Sequence, residues 1–94
     1  MEEMSFDIQY HKLVPKCDIP ALPPNEQDRI MQAISEKLKN APEIFGKPLR
    51  RSLKGHWSLR VGDYRVIYRI EKHTVKIFSI EHRSTVYEEV LKRI

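Results

Sequence analysis

Ninety-four residues with an apolar fraction of 40% suffice for one modest core, and a single domain over residues 1–94 is expected. No apolar run approaches membrane-spanning length, and Met1–Phe6 carries two glutamates where a signal peptide would be basic, so a membrane role is excluded and a cytoplasmic protein is expected. The net charge of +4 is unevenly spread: residues 1–46 hold five Lys/Arg against eight Asp/Glu (−3), and residues 47–94 hold twelve against five (+7), so the second half is the part that attracts phosphate. The lone Cys17 permits no internal disulfide and is read as a small, partly buried hydrophobe. Four scattered histidines lack metal-ligand spacing, and neither metal nor cofactor is expected.

Along the chain, Ser5–His11 alternates Phe6, Ile8 and Tyr10 with polar residues, the pattern of a half-buried strand. Four prolines punctuate residues 15–24, where Asp18 is placed to cap a helical turn reaching Leu22. Asn25 is the expected N-cap of an amphipathic helix that buries Ile30, Ile34 and Leu38 and ends before Pro42. Ala41–Gly55 reads mainly as loop, with one turn around Leu49 and Leu53. Three strands follow, Trp57–Val61, Tyr64–Glu71 and Thr74–Glu81, and then a helix over Ser84–Ile94 capped by Ser84, with Val86, Val90 and Leu91 inward. The expected fold is α+β: an N-terminal strand, two helices, a three-strand antiparallel meander and a C-terminal helix, with helices on one face of a small sheet.

Gly62-Asp63 between two alternating runs is a strong hairpin signal, and a tight loop there pairs Val61 with Tyr64 and sets Arg60 opposite Arg65. Like charges directly opposed across two strands are destabilising, and a bound polyanion is the simplest compensation. Trp57, Leu59, Val61, Tyr64, Val66, Tyr68 and Ile70 form the core face, while His56, Ser58, Arg60, Arg65, Ile67 and Arg69 lie opposite. If Lys72-His73 is the next tight loop, Arg65 pairs with Ile80, Ile67 pairs with Phe78, and His82 joins the arginine face; a one-residue slip moves His82 across the sheet. Arg83 and Tyr87 follow at the sheet's end.

These residue types suit metal-independent RNA cleavage. Attack by the neighbouring 2′-hydroxyl needs a base, an acid for the departing 5′-oxygen, and cations for the charge at phosphorus. Arginine supplies a forked, permanently charged donor matched to phosphate, and histidine titrates near neutral pH, at about 6.5 when unperturbed. Tyrosine, ordinarily near 10, needs neighbouring cations to act as a base and can equally stack on a nucleobase. The catalytic candidates are therefore Arg65, His82, Arg83 and Tyr87. Arg60, Ser58, His56 and the basic loop residues Lys47, Arg50, Arg51 and Lys54 are candidates for RNA contact, although a loop histidine and a solvated basic loop need no such role.

In PLRRSLKG, LRVGDYRVIYRI and IEHRSTVYEEVLKRI, taken in that order and spacing, the chain resembles the RelE/ParE superfamily of toxins from type II toxin–antitoxin pairs, and VPKCDIPALPPNEQDRIMQAISEKL is similar to the family's helical segment. The resemblance implies a microbial-RNase-like fold. It implies that Arg65 is the phosphate-binding arginine of the middle strand, that Tyr87 is the base or stacking group, and that Arg83 and Arg60 are accessory cations. Ser58 stands where a second basic residue is usual, and the short Glu81-His82-Arg83 segment makes His82 a competitor for the base.

The activity implied is that of an mRNA interferase, cutting mRNA with the ribosome as scaffold. The alternatives are a ParE-like inhibitor of DNA gyrase and an inactive member that serves regulation alone. The implied partner is a small acidic antitoxin, covering the basic face or displacing the last helix, in a complex that binds operator DNA.

Overall fold

The computed structural model describes residues 5–94. Its centre is a five-stranded mixed sheet of order β1-β5-β4-β3-β2, built from β1 (Asp7–Tyr10), β2 (Lys47–Pro48), β3 (Trp57–Val61), β4 (Tyr64–Glu71) and β5 (Thr74–His82). Strands β3, β4 and β5 form the expected meander, and β1 lies parallel to β5 on its outer side. Gly62 takes φ +61° in the first tight loop, a conformation that costs glycine little. Helix α1 comprises Val14–Asp18 continued by Ile19–Ala21, and α2 comprises Pro24–Ala33 continued by Ile34–Leu38. Both cover one face of the sheet, where Ile30, Ile34 and Leu38 meet Leu59, Val66, Tyr68, Ile77 and Ile80 in the main core. Each fully buried aliphatic side chain there contributes about 1.5–3 kcal/mol.

The opposite face carries a second, smaller core. Helix α4 (Val86–Leu91) lays Val86 and Val90 on Ile67 and Leu53, with Leu49 and Phe78 at the margin. This two-faced burial explains the main departure in register. Past the tight Lys72-His73 loop the pairing runs as expected to Tyr68↔Ile77, and then β5 gains one residue, giving Ile67↔Ser79, Val66↔Ile80, Arg65↔Glu81 and Tyr64↔His82. The extra residue is Phe78. Unbroken alternation would have put Ile80 beneath the arginines; the bulge instead sends Ile80 to the main core while Phe78 stays with the smaller one.

Beyond the end of β1, the edge of β5 has no strand partner among the described residues, and an ion pair takes that place. Asp18 Oδ2 accepts the Ile80 N–H at 2.9 Å, and Arg93 donates to the Phe78 carbonyl at 2.9 Å. The guanidinium and carboxylate meet through two bonds of 2.7 and 2.9 Å, with side chains only 4% and 2% exposed. Asp18 is thus a buried acceptor rather than the expected helix cap.

Other local expectations are also corrected. Helix α2 begins at Pro24, so Asn25 lies inside its first turn, and Thr85 precedes α4 without a side-chain cap, so Ser84 does not cap it. Leu91 is exposed rather than inward, and Cys17 is exposed rather than partly buried. Within the segment read as loop, Pro42–Phe45 forms the short helix α3, Lys47–Pro48 adds the edge strand, and Arg51–Leu53 supplies the expected turn.

Candidate nucleic-acid interface

Arg60 and Arg65 are direct cross-strand partners, as the hairpin loop dictates, and both lie on the face away from α1 and α2. On the same face Lys47 pairs with Ser58. These four residues line an open cavity of about 380 Å³ that extends from the β2 edge to Tyr87 on α4. Burial of Val86 and Val90 fixes α4 on the sheet and leaves Tyr87 38% exposed at the cavity wall. Arg65 is held from behind: its Nη1 donates to the carbonyls of Gly62 (3.0 Å) and Tyr64 (2.9 Å). Among the described residues no acceptor engages its Nε or Nη2, and no carboxylate lies within ion-pair distance of either Arg60 or Arg65. A guanidinium anchored at one nitrogen with its remaining donors open is pre-organised for an oxyanion.

Glu81 stands opposite Arg65 in the register, yet its carboxylate turns to Arg93 at 3.5 Å and accepts from Thr85 Oγ1 at 3.4 Å. Burial, with the charge of Asp18 adding and Arg93 opposing, holds the Glu81 carboxyl above its ordinary range. The folded state therefore binds this proton more tightly than the unfolded chain. The group's stability contribution is greatest below the ordinary carboxylate pKa, declines as pH rises through the folded value, and stays lower above it. Glu81→Gln is expected to raise the melting temperature at about pH 7 and to lose that gain at about pH 3, where the native side chain also carries a proton; thermal melts at the two pH values check this.

The remaining sequence candidates separate. His82 is paired with Tyr64 and packs edge-on against its ring at 5.7 Å, on the face opposite the arginines. Its Nδ1 lies 2.8 Å from Ser84 Oγ and accepts the Ser84 N–H at 3.1 Å, so it braces the turn into α4. The Phe78 bulge is the cause: one extra residue reverses the parity of everything after it. His82 belongs to a different hollow, of about 500 Å³, whose arginine is Arg93, already matched by Asp18. That hollow is larger, but it lacks the open cations of the arginine cavity.

His56 is buried, with its ring edge-on to Phe78 at 5.2 Å and, among the described residues, no hydrogen-bond partner for either nitrogen, so it packs in the interior and not on the open surface. Ser79, which takes the place expected of an apolar floor residue, is buried with its hydroxyl unpartnered. Arg83 is exposed and does not line the cavity, although its N–H is tied to the Asp63 carbonyl at 2.8 Å. Arg50, Arg51 and Lys54 are exposed on the turn after β2 and are likewise outside the cavity. Lys47, one of the basic loop residues, lines the cavity, as do Lys37 and Phe45, which had no place among the sequence candidates. Lys37 carries no local pattern that marks it. Ile44-Phe45, two apolar neighbours between Pro42 and Gly46, was the available signal for Phe45.

A sheet whose one face is buried by two helices and whose other face gathers open cations beside a C-terminal helix defines a small α+β domain with a cationic cavity. Residues 18–87 match the model of the ParE toxin of type II toxin–antitoxin systems, and the chain belongs to this family, within the RelE/ParE superfamily. Two relatives from Mycobacterium tuberculosis agree. The chain is 38% identical to toxin RelE over 89 residues, spanning 89% of this chain and 92% of that protein. It is 40% identical to toxin RelG over 72 residues, spanning 74% of this chain and 83% of that protein. Among solved structures, the toxin–antitoxin complex RelBE2 from the same organism superposes with a TM-score of 0.78 at 33% identity, covering 84% of this chain and 99% of the matched one.

Proposed function

We propose that the chain is a RelE-type endoribonuclease toxin that cleaves mRNA, with the ribosome as scaffold, by attack of the 2′-hydroxyl on the adjacent phosphodiester. The observation that carries this reading is the convergence of Arg60 and Arg65 on one open cavity with no carboxylate partner among the described residues. The two guanidinium groups hold the scissile phosphate and stabilise the charge that develops on its non-bridging oxygens. Tyr87, on the cavity wall, takes the 2′-hydroxyl proton. The new bond joins the 2′-oxygen to phosphorus, the bond to the 5′-oxygen breaks as that oxygen takes a proton from water in the open cavity, and the products are a 2′,3′-cyclic phosphate and a 5′-hydroxyl. No metal enters this scheme.

The partner consistent with the charge of residues 47–94 is an acidic antitoxin chain laid over the arginine face, and the pair is proposed to act in the cytoplasm and to bind operator DNA. Primer extension on a translated mRNA tests the central activity. Cleavages that appear with the protein support it. Intact message together with inhibited DNA gyrase in a supercoiling assay would replace it with the ParE-like reading.

A further inference from the structure

We infer that Phe45 is the stacking platform for a nucleobase of the strand whose phosphate occupies the Arg60–Arg65 cavity, which makes it a specificity subsite; this rests on the RNA-binding reading above. Phe45 lines the same cavity as Arg60 and Arg65 and is 47% exposed. Its neighbour Ile44 is 78% exposed, so this edge of the molecule presents apolar surface directly beside cations. An exposed ring on a mobile loop would carry little weight, but the backbone here is pinned. The buried Tyr68 hydroxyl donates to the Pro42 carbonyl at 2.6 Å, and the Gly46 N–H donates to the same oxygen at 3.3 Å. Gly46 passes so close to the Tyr68 ring that no side chain fits there, and Lys47 enters the sheet immediately after. The backbone that carries the ring is therefore held at a fixed place on the rim.

Lys37 Nζ stands 5.7 Å from the Phe45 ring centroid, adding a cation to the platform. Open cations for the backbone next to a rigid aromatic for a base is the combination by which proteins hold single-stranded nucleic acid.

The test uses a fluorescein-labelled five-nucleotide RNA, 2′-O-methylated throughout so that it cannot be cleaved, and an abasic strand of the same length and charge, with binding read by anisotropy at low salt. Phe45→Ala is expected to weaken binding of the base-bearing strand about tenfold and to leave the abasic strand unchanged, because stacking and not charge is lost. Phe45→Trp should retain wild-type affinity, and Phe45→Leu, which keeps apolar bulk without a π face, should behave like alanine. The slope of affinity against salt should be the same in Phe45→Ala as in wild type, whereas Arg65→Ala lowers it by about one phosphate contact. Equal affinity of wild type and Phe45→Ala for the base-bearing strand overturns the subsite and returns the Ile44–Phe45 surface to a protein partner, while a retained effect of Arg65→Ala leaves the phosphate reading standing. An Arg65→Ala protein with unchanged affinity and salt slope overturns that reading instead, and absence of RNA binding by the wild type overturns both.

Discussion

Arg65→Ala is expected to lower RNA cleavage by about 10²–10³-fold while leaving the fold intact, the size of effect seen when one pre-organised donor to a developing oxyanion is removed. The side chain's two bonds run to carbonyls of the neighbouring hairpin, Gly62 and Tyr64, and it forms no ion pair among the described residues, so its loss leaves no buried charge behind. Removing it also relieves the repulsion with Arg60 across the strands, and the variant should melt no lower than wild type by more than about 1 kcal/mol. Arg65→Lys separates charge from geometry. It retains the positive charge but not the fork, and should fall between wild type and alanine. Single-turnover cleavage paired with thermal melts measures both quantities. A variant with normal cleavage contradicts the assignment, and a variant that loses activity only in proportion to lost folding makes Arg65 structural.

The second large effect belongs to the buried pair Asp18–Arg93. Breaking such a pair by removing one partner costs about 3–5 kcal/mol, because the survivor is left charged and unpaired away from water. Here the loss goes further, since each partner also satisfies a backbone group at the β5 bulge: Asp18 takes the Ile80 N–H and Arg93 serves the Phe78 carbonyl. Arg93→Ala and Asp18→Asn should each lower stability by roughly that amount. The pair bonds a residue near the C-terminus to α1, so in Arg93→Ala the amides of α4 should exchange with solvent much faster than those of β4. Denaturant unfolding and hydrogen exchange provide the readouts. Wild-type exchange in α4 would show that Val86 and Val90 alone hold the helix. The same magnitude bears on how an antitoxin would act: laying a chain over the arginine face requires no such rupture, whereas lifting α4 off the sheet does.

The hairpin and its arginines were legible in the sequence because their causes are local. Gly62-Asp63 sets a two-residue loop, the loop sets the register, and the register sets Arg60 against Arg65. The boundaries of β3 and β4 followed from the same alternation. What escaped was decided by burial on two faces at once. Plain alternation would leave Ile80 on the same side as Phe78, but the main core claims Ile80 while the second core under α4 keeps Phe78, and that two-sided burial makes the bulge and carries His82 across the sheet. His56 escaped for the same reason: a histidine ahead of a strand reads as exposed until Phe78 is found lying on it. Arg93, one of a basic pair at the chain's end, looked like a solvated helix terminus, because its partner is 75 residues away. Lys37 and Phe45 joined the site from the end of α2 and from α3, helical segments whose approach to the sheet edge no local pattern announces.

The most direct measurement is an NMR titration of protein labelled at arginine side chains and histidine rings with the uncleavable RNA. Arg60 and Arg65 Nε–H signals should move together, saturating at one ligand concentration, while the His82 ring signals stay in place. Movement of His82 with unchanged arginines would place the nucleotide on the opposite face of the sheet and contradict the site described for this protein.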